Sequence, residues 1–182
     1  TLLQLMGGLS KPSTGSVTIY GQDVGKGSDN DISKFRNETM GFVFQMIYLQ
    51  EYLTALENVM LPMLIAGKKT SQAKKRALEL LDSVGLAERA EHKPSAMSGG
   101  EMQRVAVARA LANNPKVIFA DEPTGKLDKK NSDNIIQILA EIAQKEKMSV
   151  IMITHDESIA NKFNNVLWLD HGEVKKFNRP KH

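Results

Sequence analysis

The spacing of hydrophobic residues changes period repeatedly along this chain, and the changes mark its elements. Leu2, Leu3, Leu5, Met6 and Leu9 follow a helical period, and Gly7-Gly8 with KPSTG (11–15) ends that run in turn chemistry. Val17 and Ile19 alternate with polar neighbours in SVTIYG, which predicts a strand closing at Gly21. Residues 31–37 fit a short helix, and MGFVFQ (40–45) is an apolar run of the length of a buried strand. Thr54-Ala55-Leu56-Glu57 is a capping box, with Glu57 reaching back to Thr54, and it opens a helix to about residue 66. SQAKKRALELLDS (71–83) is an amphipathic helix stopped at Gly85. Ser98-Gly99-Gly100-Glu101 is a second capping box, whose helix ends at Asn113-Asn114-Pro115. KVIFA (116–120) reads as a buried parallel strand, 129–145 as a helix and SVIMIT (149–154) as another buried strand. A short helix is expected after His155, and VLWLDHGEVKKF (166–177) as a hairpin turning near Asp170 to Gly172.

Strands alternating with helices from residue 98 onward predict an α/β fold with a mostly parallel sheet. The block from about 50 to 95 has helices and no strand, which predicts an inserted helical subdomain, roughly 50–112, within a single 1–182 domain. The first helix lacks a beginning. No capping residue, turn or strand precedes Thr1. Natural domains rarely begin inside an amphipathic helix, so the expectation is that an upstream segment is missing.

Bulk composition narrows the function classes. At 182 residues, one domain with a substantial core is expected. The net charge of +3 is a weak excess over this length, so a solvated surface is expected and a nucleic-acid partner is not. With no cysteine, a disulfide-stapled secreted domain and a cysteine-ligated metal site are excluded. VMLPMLIA (59–66) is too short to span a bilayer and contains Pro62.

Four stretches could carry chemistry. VIFADEP (117–123) is an apolar strand that delivers Asp121 and Glu122 to the C-terminal edge of a parallel sheet, where open α/β sheets bind ligands. Neighbouring residues in extended backbone point opposite ways, so one carboxylate could hold Mg²⁺ through water while the other orients an attacking water. The bland alternative is two acids opening a surface loop. SVIMITHD (149–156) ends a second strand in His155 on the same edge, where it could donate to a phosphate oxygen or simply cap a helix. In AMSGGEMQRVAVARALANNP (96–115), Ser98 opens a helix and Gly99 and Gly100 leave its first N–H groups uncovered, which suits either phosphate or close packing. Gln45 closes GFVF, where it could reach a metal or a water, or be an ordinary polar strand end.

The order Gln45, Ser98-Gly99-Gly100-Glu101, Asp121-Glu122, Asp128, His155 resembles the ATP-binding cassette (ABC) family, the ATPase subunits of ABC transporters, over essentially the whole chain. MSGGEMQRVAVARAL is similar to the family signature, with Met97 where Leu is usual; VIFADEP is similar to its Walker B strand, GFVFQ to its Q-loop and THD to its switch-histidine segment. GKLD (125–128) is similar to its D-loop, with Lys126 an unusual occupant. GFVFQ, LTALENVMLP and ADEPTGKLD are most similar to the lipoprotein-release and macrolide-export branch.

The resemblance implies a P-loop NTPase-like core, ATP and Mg²⁺ as cofactors, a head-to-tail homodimer of ATPase domains and a membrane permease as partner. It also implies a cytoplasmic location, peripheral on the inner face of the membrane. Glu122, His155 and Gln45 would be catalytic, Asp121 and Gln45 would hold the metal, and Thr1, Ser98, Gly99, Gly100, Glu101 and Asp128 would bind nucleotide, Ser98 to Gly100 across the dimer. In this family the phosphate loop G-x-x-x-x-G-K-S-T runs straight into a helix such as TLLQLMGGL, so Thr1 would follow the loop's Ser and the chain would lack its N-terminal strands and phosphate loop. The chain as given is then expected to be inactive, with Val117, Ile118 and Phe119, or their neighbours, short of a partner strand. Two rivals remain at this level: a non-catalytic packing or oligomerising fragment, and a soluble ABC ATPase of DNA repair, against which the short helical insert argues.

Overall fold

The structure is a computed structural model that describes residues 1–176. Its centre is a parallel three-stranded sheet in the order β3 (Met40–Phe44), β4 (Val117–Asp121), β5 (Ser149–Ile153). The strands are in step, with Met40 opposite Val117 and Val117 opposite Ser149, so Phe44, Asp121 and Ile153 finish on one edge. Val117 to Ala120 are all buried, as a strand covered on both faces must be. Of the residues expected to be short of a partner strand, Val117, Ile118 and Phe119 are therefore not; it is their neighbours β3 and β5 that are each paired on one side alone among the described residues. Strand β4 is central and paired on both sides, and the edges run along β3 and β5, residues 150–153 of β5 being only half-buried.

Alternation along β4 divides the core. Val117 and Phe119 face a cluster with Leu3, Val24 and Met40, beneath α1 (Leu2–Met6) and the hairpin β1 (Thr18–Ile19) and β2 (Gln22–Asp23). The turn there uses left-handed Tyr20 and Gly21, and β2 was not anticipated from sequence. Ile118 and Ala120 face the larger cluster, built from α3 (Ala55–Ile65), α4 (Thr70–Ser83), α5 (Gly99–Ala110) and α6 (Lys129–Lys145). Helix α2 (Asp29–Thr39), capped by Ser28, delivers the chain into β3. Between Phe44 and Val117 only helices and two short 3₁₀ turns occur, yet their core is continuous with Val43, Ile118 and Ala120 of the sheet.

Both capping boxes form. Thr54 Oγ1 accepts from the Glu57 N–H at 3.2 Å while Glu57 accepts from the Thr54 N–H at 2.8 Å, and Ser98 and Glu101 repeat the pattern. After α7 (Glu157–Ala160), β6 (Leu167–Asp170) and β7 (Glu173–Lys176) form the predicted hairpin through left-handed His171 and Gly172; its last predicted residue, Phe177, lies outside the described residues. Among the described residues, no helix is long and apolar enough to cross a membrane.

Asn58 is fully buried on α3 and all its polar capacity is used. Its Nδ2 donates to the carbonyls of Gln50, Leu53 and Thr54, and its Oδ1 accepts from the Gln50 N–H. It therefore pins residues 50–54 onto the helix. Asn58→Ala strands several buried backbone groups at once and is expected to cost about 2 to 4 kcal/mol. Thermal unfolding that leaves the midpoint at the wild-type value would reject this account of the loop.

Candidate active site

At the C-terminal end of β4 the backbone does not stay extended. Glu122 has φ 47°, in the left-handed region that non-glycine residues rarely occupy, and its N–H donates to Ile153 O at 2.9 Å. The two acids therefore diverge through a backbone turn at Glu122 and not through the pleat that the sequence suggested. The turn closes when the Gly125 N–H donates to Glu122 O at 3.1 Å.

The turn delivers the Glu122 carboxylate to the end of β5. Glu122 Oε1 accepts from the His155 backbone N–H at 2.9 Å and lies 2.7 Å from His155 Nδ1. The carboxylate is mostly covered, with 19% of its side chain exposed, whereas the imidazole is 80% exposed. The Glu122 hydrogen bond, then the Glu122 charge, with a smaller contribution from Asp156, raise the His155 pKa above its ordinary value. A raised value means that the interaction is at full strength where His155 is protonated, below the ordinary histidine range. It is lost as pH rises through the raised value. A histidine NMR titration is therefore expected to place the His155 midpoint above that of a free histidine, and Glu122→Gln to return it toward the free value. An unchanged midpoint in the variant would mean that the pairing does not exist in solution.

Gln45 follows β3 directly and joins this group through Gly125. A Cβ on Gly125 would lie 2.5 Å from Gln45 Nε2, so the amide rests on the glycine's bare α-carbon. Next to it, Lys126 Nζ lies 2.8 Å from Met46 Sδ. Gln45, Asp121, Glu122 and His155 thus share one end of the sheet.

Ser98, Gly99, Gly100, Glu101 and Asp128 form a second group. Glu101 Oε2 accepts from the Ser98 N–H at 2.8 Å and from Ser98 Oγ at 2.9 Å, and Arg89 Nε sits 3.5 Å from Glu101 Oε1. These bonds lower the Glu101 pKa, Ser98 acting first and Arg89 later. Glu101 is therefore spent on the cap. Ser98 and Gly99 are exposed, but Gly100 is buried against Asn131, and a Cβ there would fall 2.6 Å from Asn131 Oδ1. The two glycines divide the two readings made from sequence, one left open and one required for packing. Asn131 is held by Asp128, the N-cap of α6, whose carboxylate accepts from the Asn131 backbone at 2.9 Å and side chain at 2.6 Å. Hydrogen bonds from Asn131 hold the Asp128 carboxyl below its ordinary value. The segment 123–128 links the groups: Gly125 lies under Gln45, and Leu127 lies against Gly99. Thr1 is exposed and caps α1 through its backbone, its carbonyl accepting from the Leu5 N–H at 3.1 Å.

Sequence reasoning missed Gln103, Arg109 and Asn131. For Gln103 and Arg109 the available signal was polar residues within the mostly buried run QRVAVARA; Gln103 is 2% exposed and donates to Phe44 O at 3.3 Å. Among the described residues, no three His, Asp or Glu side chains converge as a metal cage. Asp121 is a single half-buried carboxylate, a sparse donor set of the kind that suits Mg²⁺ bound mainly through phosphate and water.

Comparison with known proteins gives the same picture. The family model described as ABC transporter matches residues 1–125. The chain is similar to the lipoprotein-releasing system ATP-binding protein LolD of Xanthomonas euvesicatoria, 46% identical over 97% of this chain and 72% of the relative. It is 48% identical to LolD of Geobacter metallireducens over 96% of this chain and 77% of that one. Among solved structures it is similar to the dimeric ATP-binding cassette MJ0796 in a post-hydrolysis state bound to ADP and Pi, with a TM-score of 0.86, 40% identity and coverage of 96% of this chain and 77% of that one. With the α/β fold, the parallel sheet and the sequence motifs in agreement, the chain belongs to the ABC transporter family, as one of its ATP-binding subunits.

Proposed function

We propose that this protein hydrolyses ATP to power a membrane permease of the lipoprotein-releasing kind, working as a head-to-tail homodimer on the cytoplasmic face. The observation that carries the catalytic part is the Glu122 carboxylate, turned by a left-handed residue to the end of the sheet and held there by His155. Glu122 orients and deprotonates the attacking water. His155 fixes the carboxylate and, being exposed, can swing to donate to the γ-phosphate. Asp121 and Gln45 would hold Mg²⁺, which when bound would neutralise charge developing on the phosphate oxygens. Ser98, Gly99 and the α5 N-terminus present donors to the nucleotide of the partner subunit. Asp128 fixes the loop that lies beside them.

The dimer is supported by the solved relative, which is described as dimeric. Residues 50–112 would act as a helical subdomain. The permease would dock beside Gln45, where Met46, Tyr48 and Tyr52 are 50%, 64% and 71% exposed. The test is Mg²⁺-dependent phosphate release from ATP by the full gene product. Release that saturates with ATP and is lost in Glu122→Gln supports the reading, and absence of saturable ATP binding rejects it.

A further inference from the structure

The geometry points to Arg109 and Gln103 of α5 as positioning residues for Gln45. This rests on the role proposed above for Gln45. Three carbonyls bracket that residue, and all three accept from α5 side chains. Gln103 Nε2 donates to Phe44 O at 3.3 Å, Arg109 Nη2 to Ile47 O at 3.1 Å and Arg109 Nη1 to Tyr48 O at 2.7 Å. The loop reverses at Tyr48, which takes φ 46°, a conformation that a tyrosine does not hold without outside support. The forked guanidinium supplies it, meeting two successive carbonyls as a single ammonium does not.

Arg109 is committed to this task. Among the described residues no carboxylate pairs with it, and burial lowers its pKa, so the desolvated charge is met by neutral carbonyls alone. Farther along, Asn58 pins Gln50 to α3, so the loop is tied at both ends. Helix α5 itself has no slack against β3, since Gly41 lies against the Ala110 carbonyl. The helix that begins at Ser98 therefore sets where the Gln45 amide rests on Gly125. A shift of α5 relative to the sheet moves Gln45, which joins the exposed signature end to the catalytic end within one subunit.

The experiment has two readouts. In this chain, an NOE between the Gln45 side-chain amide and Gly125 Hα reports their contact. It is expected in the wild type, lost in Arg109→Ala and Gln103→Met, and weakened in Arg109→Lys, with the sheet resonances unmoved. In the full gene product, Arg109→Ala is expected to lower kcat for ATP by about 10- to 10²-fold with little change in KM. An NOE retained in Arg109→Ala overturns the proposal, and so does global loss of dispersed resonances, which would make the strap part of folding and not of positioning. Gln45→Ala with wild-type turnover would instead reject the proposed role of Gln45, and the NOE alone would then judge the strap.

Discussion

Glu122→Gln is expected to reduce ATP turnover by about 10²- to 10⁴-fold, the range for removal of a general base. The substitution keeps the volume and one oxygen acceptor, so the His155 N–H and the β5 end retain a partner at that position. It removes the charge that draws a proton from water and the charge that raises the His155 pKa. Nucleotide binding rests on other groups and should survive. The variant should therefore stall with ATP bound and accumulate as a dimer, if Ser98 and Gly99 act across the interface. Phosphate release measures the first expectation, and size-exclusion chromatography with saturating Mg-ATP measures the second. Turnover close to wild type would remove Glu122 from the mechanism. A monomeric profile would count against the sandwich arrangement and leave the catalytic assignment standing.

Gly41→Ala is expected to have the largest effect on stability. In a strand, replacing glycine by alanine ordinarily stabilises by about 0.4 to 1 kcal/mol, because the unfolded chain loses freedom. Here packing reverses the sign. A Cβ on Gly41 would lie 2.4 Å from Ala110 O, 3.1 Å from Ala110 C and 3.2 Å from Ala110 Cβ. These atoms belong to the last turn of α5 and have no rotamer to change, so the helix must lift from β3. A cost of about 3 kcal/mol or more is expected for such overpacking. That is a large share of a typical stability of about 5 to 15 kcal/mol. At about 2 to 4 °C per kcal/mol for a domain of this size, Tm should fall by roughly 6 to 12 °C. Gly125→Ala is the matched control. Its Cβ meets the mobile end of Gln45 at 2.5 Å, so the side chain can yield and the loss should stay under about 1 kcal/mol, with turnover falling because Gln45 is displaced. Equal Tm values for the two variants would defeat this explanation of the α5–β3 contact.

What the sequence determined by itself was local. The capping boxes at Thr54 and Ser98, the helix 129–145 and the strands ending at Phe44, Asp121 and Ile153 each follow from residues within a turn or two of one another. The motifs also carried the family, because their order and spacing lie in the chain itself. Only the tertiary structure decided which strand is central. An apolar run such as VIFA signals burial on both faces but not its neighbours; the packed sheet puts β4 in the centre and leaves β3 and β5 as the edges. Nor does the local pattern show that Glu122 turns left-handed, because that conformation is stabilised by Ile153 and His155, about thirty residues away. The same holds for the glycines. Gly41, Gly100 and Gly125 look alike in sequence, yet one meets a helix backbone, one Asn131 and one Gln45. The strap from Gln103 and Arg109 was invisible for the same reason: its acceptors lie some sixty residues earlier, and hydrogen bonds between such distant groups exist only after the helix has packed on the sheet.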